Sequence, residues 1–385
     1  MPRSGWARRW PRPRLAADPV KIGMITTLSG PAGYLGEDVR DGFLLAMDEE
    51  GGKLGGAEVS LIVEDDGLKP ETAQQVADRM IKRDGVELIT GVIFSNIAPI
   101  VAPMTLGAGL FYVSPNAAPS TFAGDKCHED YFVVSWQNDS LHEAAGIAAE
   151  KAGKKSAVAL APNYQAGKDS IAGFKRYFKG EIVDEIYTQL SQTDYAAEIA
   201  KIRADEARDG VLLPARRHGH QLHEAVRPVG PQGRHPADRL GAEPGAAHHG
   251  GGRRRPRSAS PPPATGTSTS TTRPTRSSSR VPRKYGREPT PYASQGYDTA
   301  KADRRRPEGS GGKVKADKDA FRAGIKSGDF ESARGDFKFG NNNHPINTWY
   351  AITVEKGDDG KLQMVTTGVI AEDLADAYHD QCPMN

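Results

Sequence analysis

Short apolar runs alternate with stretches of helical hydrophobic spacing along the first two hundred residues. The run VKIGMIT, which begins at Val20, is apolar enough for a buried strand. Apolar residues then recur every three or four positions as far as two adjacent glycines at 51 and 52, as on one face of a helix that ends there. The positions with this spacing are Leu35, Val39, Phe43, Leu44 and Met47. The pattern therefore predicts a strand followed by a helix over residues 20–50.

The same alternation continues to residue 213. Further strands are predicted at AEVSLIVED (57–65), VELITGVIF (86–94), GLFYVS (109–114), SAVALAP (156–162), EIVDEIYT (181–188) and GVLL (210–213). Helices are predicted from 70 to about 83, near 97–107, and from about 140, 166 and 194. Strands that alternate with helices of this length favour parallel sheets covered by helices on both faces. Two such series predict two α/β lobes.

Residues 214–283 have a different character. They contain no Ile, Phe, Tyr, Trp, Met, Lys, Asn or Cys, and they hold six of the ten histidines. Regular sequence resumes near Lys284, with a helix at YASQGYDTA (292–300), a helix around 317–326, and strands at NTWYAITVE (347–355) and KLQMVTTGVI (361–370). Because the central stretch offers few large apolar side chains to offset ordering entropy, we expect it to be disordered or poorly packed.

Composition narrows the class of partner. The net charge of +2 on 385 residues gives no field that would attract nucleic acid or an anionic membrane. The sequence contains no run of about 18 apolar residues, which would predict a membrane span. The 37% of apolar residues is enough for two lobes. We therefore expect a small-molecule partner and no nucleic acid.

Residues 1–17 combine a basic start with the small-residue sequence LAAD, which runs on to Asp18, but lack an apolar segment between the two. We interpret them as the remnant of an export signal. The two cysteines, Cys127 and Cys382, are too far apart for the close pairs of a zinc site. From spacing alone they are either two buried thiols or one long-range disulfide.

Candidate binding residues follow predicted strands of the first series. Ser95 and Asn96 follow one strand, and Ser114 ends another, with backbone amides near 116–118 beyond it. Ligands of parallel α/β sheets bind at the carboxyl ends of the strands, where N–H and O–H donors can hold a carboxylate. Ser and Asn at such places also cap helices, which is the alternative interpretation. Tyr164 and Gln165 are candidates for stacking and polar contacts from the second series.

Other groups of residues suggest different chemistry. Asp65 and Asp66 end a strand, as paired acids do in some magnesium-dependent phosphotransfer sites, although a solvated acid pair in a loop is the more common case. His218, His220 and His223 have the residue type of a metal cluster, and the arginines of 253–257 that of a phosphate-binding patch. No Gly-rich phosphate loop and no G-x-S-x-G motif occurs. We expect no metal and no cofactor.

Several ordered motifs resemble one known family. VKIGMITTLSGPAGYLGEDVRDGFLLAMDEEGG, LIVEDDGLKPETA and LFYVSPNAAPSTFAG are similar to the leucine-binding, type 1 periplasmic binding proteins of ABC importers. The resemblance covers about 18–210 and 284–385. SWQND, PNYQAGKD and a C-terminal QCPM are most similar to members of which some take aromatic acids. The implied fold has two lobes with parallel Rossmann-like sheets joined by a hinge, lobe 1 from 18–136 with 284–340 and lobe 2 from 137–213 with 341–385.

The resemblance also implies a site, a location and a partner. Tyr34, Ser95, Asn116 and Ala118 match pocket positions of the family, although the leucine-type pattern has a hydroxyl residue where this chain has Ala118. The protein is then extracytoplasmic, where a disulfide between Cys127 and Cys382 is expected. It would be a monomer that binds a small amino acid or carboxylate and docks on a membrane permease. Trp136, Asp139 and His142 would help to build the hinge.

Three functions are compatible with an α/β chain of this kind. The first is a branched-chain amino acid type receptor, with a receptor for aromatic acids such as benzoate or hydroxycinnamate as a variant. The second is an α/β enzyme that uses Asp65 and Asp66. The third is a ligand sensor, which would need an output domain. Because the sequence offers no convincing nucleophile and base, we favour the receptor over an enzyme.

Residues 214–283 depart from the family completely, and we interpret them as a reading-frame error. HQLHEAV (220–226) can be encoded so that reading one base later gives INFMKQF. TGTSTSTTRPT (265–275) read one base earlier can give HWNFDLDNPT, and ADRRRPEG (302–309) read one base later can give IDAALKG. The first alternative continues as an amphipathic helix, a glycine and a strand, and all three alternatives resemble the text of the family.

The frame interpretation predicts a specific result at the level of the gene. We expect sequencing across codons 205–310 to show base insertions or deletions that bring the three alternative readings into one frame. An unbroken sequence that encodes residues 214–283 as printed would contradict it.

Overall fold

In the computed structural model, residues 18–190, 192–204, 241–244, 284–286, 290–303, 314–356 and 362–384 are described. The first half contains strands β1 Val20–Thr26, β2 Lys53–Leu54, β3 Ala57–Asp65, β4 Leu88–Thr90, β5 Phe111–Ser114, β6 Tyr131–Val133, β7 Ser156–Pro162 and β8 Glu181–Thr188. Its helices are α1 Gly33–Glu49, α2 Pro70–Arg79, α3 Ala98–Gly107, α4 Ser140–Lys151, α5 Gln165–Tyr177 and α6 Ala196–Ala204. The second half contains β9 Gly241–Pro244, α7 Pro291–Asp303, α8 Lys318–Lys326, β10 Lys338–Phe339, β11 Pro345–Lys356 and β12 Leu362–Leu374.

The first sheet has six strands in the order β2-β3-β1-β4-β5-β6. All neighbours are parallel except β2 and β3, which form a short antiparallel pair. The predicted strands and helices of this part are confirmed, and α2 is extended by a π-helical turn, Met80–Asp84. Strand β4 is shorter than predicted because Gly91 has a φ of +101°, and a Cβ there would lie 2.8 Å from the carbonyl oxygen of Ile25. The chain therefore turns away from the sheet directly after Thr90.

The chain returns to this first sheet near its C-terminal end. Helix α7 packs against α1 with backbone close to backbone, because a Cβ at Gly42 would lie 2.0 Å from the carbonyl oxygen of Ala293. Phe321 of α8 packs edge-on against Phe111 of β5, with ring centroids 4.7 Å apart. One hydrophobic cluster therefore joins residues 20–134 to residues 292–333.

The second part of the chain has two smaller sheets. Strands β7 and β8 are parallel, as predicted, with Phe174 of α5 buried against them. Strands β9, β10, β11 and β12 form an antiparallel sheet, so the expectation of parallel sheets does not hold for this part of the chain. Only five residues separate β11 from β12, and a parallel crossover needs a dozen or more. Trp349 of β11 packs against Trp136, with ring centroids 6.0 Å apart.

The central stretch lies outside the described residues, except for Gly241–Pro244, which pair with β11. The expectation that 214–283 is disordered or poorly packed, the GVLL strand and the frame interpretation therefore stay predictions. The same holds for the lobe boundaries at 136, 213, 284 and 340.

The disulfide between Cys127 and Cys382 is confirmed, with Cα atoms 5.7 Å apart. It joins the loop before β6 to the C-terminal segment 375–384. Within that segment, the phenol of Tyr378 donates to the carboxylate of Asp139 at the start of α4, at 2.8 Å. The end of the chain thus connects the first sheet to the helices of the second part.

Breaking this disulfide should destabilise the protein. It closes a loop of 255 residues, which contributes on the order of 5 kcal/mol in the chain-entropy model. We expect the double variant Cys127→Ser/Cys382→Ser to unfold at a lower urea midpoint than the oxidised protein, and dithiothreitol to lower the midpoint of the unmodified protein in the same way. If the midpoint did not change in either experiment, the disulfide would have no role in stability.

A buried group of charges lies between α4, α5 and the C-terminal segment. The guanidinium of Arg176 bonds the carboxylates of Asp139 and Glu143, both of which are fully buried. Burial raises the pKa of the Asp139 carboxyl to about 6, and the neighbouring carboxylate of Asp169 adds to that increase. Burial likewise raises the pKa of Glu143 to about 7, although the charge of Arg176 opposes the shift.

These raised pKa values predict how stability depends on pH. The folded protein holds the protons of Asp139 and Glu143 more tightly than the unfolded chain, so their favourable contribution is complete near pH 4 and is lost as pH rises through 6–7. We expect Glu143→Gln to reduce the fall in unfolding free energy between pH 5 and 8 by on the order of 2 kcal/mol. Urea denaturation at several pH values measures this slope. The exposed Glu58, changed to Gln, is the matched control, and equal slopes in all three proteins would contradict the prediction.

Candidate functional site

A cleft lies where β4, β5 and β7 end and α4 and α5 begin. It encloses about 590 Å³ of space between protein atoms, part of it open to solvent. The lining residues are Leu35, Ile93, Phe94, Ser95, Asn116, Asn138, His142, Pro162, Tyr164, Ala166, Ser170, Leu190 and Tyr292. None of these described side chains is a carboxylate, an ammonium or a guanidinium. The lining is therefore largely apolar and aromatic, and its polar groups are hydroxyls, amides and one imidazole.

Ser95 lies on the wall of the cleft that follows β4. Its side chain is nearly buried, and its Oγ accepts a hydrogen bond from Nδ2 of Asn138 at 2.9 Å. The turn at Gly91 carries the chain over the end of the sheet and so exposes this segment to the cleft. Asn116, after β5, donates from Nδ2 to the carbonyl oxygen of Ile93 at 2.6 Å, which fixes the two loops to each other.

A second polar group lies directly behind the lining. The carboxylate of Asp169, on α5, accepts hydrogen bonds from the backbone N–H and the hydroxyl of Ser120, from Asn138 and from Gln165, at 2.7–3.1 Å. Oδ1 of Asn138 in turn accepts from the backbone N–H of Ala118 at 3.3 Å. The loop after β5 and helix α5 are therefore joined by hydrogen bonds behind the cleft.

The structure brings together three of the predicted site residues, Ser95, Asn116 and Tyr164. Ser114 is buried, and its hydroxyl donates to the carbonyl oxygen of Ala117 at 2.6 Å, so it serves the loop and does not face the cleft. The backbone N–H of Ala118 donates to Oδ1 of Asn138, so this group also serves a hydrogen bond within the protein.

The remaining three predicted residues also lie beside the lining. Tyr34 is on the first turn of α1, 43% exposed. Asn96 precedes α3, and Gln165 at the start of α5 donates to Asp169 at 2.8 Å. A direct ligand contact of any of the eight residues stays a prediction.

Sequence reasoning missed Asn138, Asp169, Ser170 and Tyr292. Asn138 and Asp169 occur in the motifs SWQND and PNYQAGKD, but no periodicity or spacing distinguishes them from helix-capping residues. Tyr292 reaches the cleft only because α7 packs on α1. His142 lines the cleft too, beyond the structural role expected of it.

Asp65 and Asp66 hold a loop. Oδ1 of Asp65 accepts from the backbone N–H of Leu28 and Gly67, and Oδ1 of Asp66 accepts from the Thr27 hydroxyl and the N–H of Leu68. Burial raises the pKa of Asp66, whereas at Asp65 the hydrogen bonds outweigh burial and lower the pKa. Neither side chain lines the cleft.

Across the described part of the chain, no group of His, Cys, Asp and Glu is arranged to hold a metal ion. His218, His220, His223 and the arginines of 253–257 lie outside the described residues. Among the described helices, none has the length and apolar character needed to cross a bilayer.

Comparison with known proteins gives one consistent family. A model of the family described as periplasmic binding protein matches residues 19–361. Leu/Ile/Val-binding protein homolog 6 of Brucella abortus (strain 2308) is 28% identical over 204 residues, 51% of this chain and 50% of that protein. The chain thus spans about half the length of the curated relatives it matches first.

Solved structures with the same fold cover nearly the whole chain. A solute-binding protein of an ABC transporter from R. palustris, in complex with benzoate, has a TM-score of 0.75 at 22% identity, over 94% of this chain and 98% of that one. An ABC transporter substrate-binding protein from Sphaerobacter thermophilus has a TM-score of 0.73 at 25% identity, over 93% and 100%. The likeness to these structures confirms the type 1 fold. The family match across residues 19–361 confirms the expected extracytoplasmic location, and the chain belongs to the periplasmic binding protein family.

Proposed function

We propose that the protein is the extracytoplasmic substrate-binding component of a branched-chain amino acid type ABC importer. It binds a small amino acid or carboxylate in the cleft as a monomer, needs no cofactor, and delivers the ligand to a membrane permease. The observation that carries this proposal is the Ser95 hydroxyl, held at the carboxyl ends of the strands in a cleft whose described lining has no carboxylate, ammonium or guanidinium group.

Neutral donors suit a receptor that must release its ligand. A hydroxyl and nearby amides can hold a carboxylate with an affinity near micromolar, which corresponds to roughly 8 kcal/mol. A fully charged clamp would bind more tightly and slow the transfer to the permease. A small number of polar groups in an apolar cleft is also the usual composition of a small-molecule site.

The apolar lining favours a ligand with a flat or branched hydrocarbon body. Phe94, Tyr164 and Tyr292 supply three aromatic side chains, and Leu35 and Ile93 lie beside them. Relatives are named for leucine, isoleucine and valine, and one similar structure is in complex with benzoate. Because aromatic rings stack favourably, an aromatic acid such as benzoate or hydroxycinnamate is the second candidate ligand.

An α/β enzyme that uses Asp65 and Asp66 is not what the geometry supports. Each carboxylate is engaged by backbone N–H groups of its own loop, and neither reaches the cleft. Their arrangement explains the loop without any reaction.

Calorimetry against leucine, isoleucine, benzoate and 4-hydroxycinnamate tests the proposal. We expect at least one of these acids to bind to the protein with the printed sequence. A protein in which the reading frame is restored over residues 214–309 should bind that acid more tightly. Ser95→Ala should weaken that binding roughly ten- to a hundredfold, because a hydrogen bond to a charged group contributes about 1.5–3 kcal/mol.

Ser327→Ala is the matched control, since Ser327 lies at the end of α8, away from the lining. It should bind like the parent chain. If Ser95→Ala bound equally well the proposed site would be wrong, and if neither chain bound any of the four acids the proposed function would be wrong.

A further inference from the structure

The hydroxyl of Ser95 is restricted in what it can offer a ligand. A serine hydroxyl has one proton to donate and an oxygen that accepts. The Oγ of Ser95 already accepts from Nδ2 of Asn138 at 2.9 Å. Within the described part of the chain, no acceptor for the Ser95 proton is found. The proton therefore remains to be donated into the cleft that Ser95 lines.

Asn138 can adopt only one amide orientation in this environment. Its Oδ1 faces the backbone N–H of Ala118, a group that can only donate, at 3.3 Å. Its Nδ2 faces Oδ2 of Asp169, a carboxylate oxygen that accepts, at 3.0 Å. A flipped amide would place N–H against N–H and oxygen against oxygen. Ala118 and Asp169 together therefore determine that Ser95 meets an N–H donor and not an oxygen.

Asp169 is itself firmly placed. The carboxylate is 4% exposed and accepts from the backbone N–H of Ser120 at 3.1 Å, from the Ser120 hydroxyl at 2.7 Å and from Gln165 at 2.8 Å. It belongs to α5, which packs against β7, whereas Ser95 follows β4 of the first sheet. The series of hydrogen bonds from Asp169 through Asn138 to Ser95 thus connects the two walls of the cleft.

We propose that Asp169 is a positioning residue that, through Asn138, leaves the proton of the Ser95 hydroxyl for the ligand and so gives the cleft its preference for a carboxylate over the uncharged amide of the same acid. Asp169 does not line the cleft, and it acts on the ligand only through the other two side chains. The inference rests on the proposed function, because it assumes that a ligand binds beside Ser95.

The direction in which carboxylate affinity changes when Asp169 is removed distinguishes this positioning role from simple charge repulsion. A negative charge near a bound anion repels it, so removing Asp169 should strengthen carboxylate binding if its charge were all that mattered. The hydrogen-bond series predicts the opposite. Without Asp169, only the backbone N–H of Ala118, at 3.3 Å, still opposes a turn of the Asn138 oxygen toward Ser95. In that turned orientation, the Ser95 proton is drawn away from the ligand.

The test compares benzoate with benzamide by calorimetry, or leucine with leucinamide if leucine is the acid that binds. We expect Asp169→Ala to weaken acid binding at least about tenfold, roughly 1.4 kcal/mol, and amide binding less than about twofold. Asp169→Asn also removes the charge but keeps an oxygen that can accept from Asn138, so it should retain the preference for the acid. Asn138→Ala should lose that preference in the same way as Asp169→Ala. It replaces Asp169→Ala in the test if Asp169→Ala does not fold.

Glu185→Ala is the control for loss of a carboxylate in the same part of the chain. Glu185 is on β8, where it pairs with Lys175, and it should leave both affinities unchanged. Equal losses of acid and amide binding in Asp169→Ala would show a merely structural role, and unchanged or tighter acid binding would overturn the inference. If the unmodified protein bound neither acid, the proposed function would fail first, and the inference with it.

Discussion

The packing of α1 against α7 is the constraint on which much of the rest of the structure depends. The two helices approach so closely that a Cβ on Gly42 would lie 2.0 Å from the Ala293 carbonyl oxygen, and one on Gly296 would lie 2.0 Å from that of Val39. No other residue fits at either position without moving the helices apart. This contact brings the C-terminal part of the chain back to the first sheet, and with it Tyr292 to the cleft.

Buried charges hold the segments that cross between the two parts of the molecule. Arg334 pairs with Asp298 at 2.8 Å and also donates to the carbonyl oxygens of Val134 and Ser135, just after β6. A few residues later Asp139 bonds Arg176 and Tyr378. Because a buried charge without partners is very costly, each group fixes the backbone around it. The segment that carries Asn138 is therefore anchored on both sides.

The buried carboxylates and the guanidinium lie behind the cleft, and none of them lines its described surface. Asp169 accepts a hydrogen bond from Asn138, and Asp139 is turned toward Arg176. For the proposed function, this separation would let the protein use charged groups for rigidity and hydroxyl and amide donors for the ligand. Fixed neutral donors bind an anion without the penalty of reorganising at the moment of binding, which is the advantage of a preorganised site.

The sequence by itself determined the local elements and the family, because both depend on residues near one another along the chain. Apolar runs and the period of 3.6 located the described α-helices and eight of the twelve described strands but missed the short strands β2, β6, β9 and β10, and strand ends located Ser95 and Asn116. Only the tertiary structure decided which polar groups meet. Asn138 forms hydrogen bonds to Ser95, 43 positions away in the sequence, and to Asp169, 31 positions away. Strand β11 pairs with β9 in an antiparallel sheet. No local period encodes such contacts, since they result from how whole helices and sheets pack.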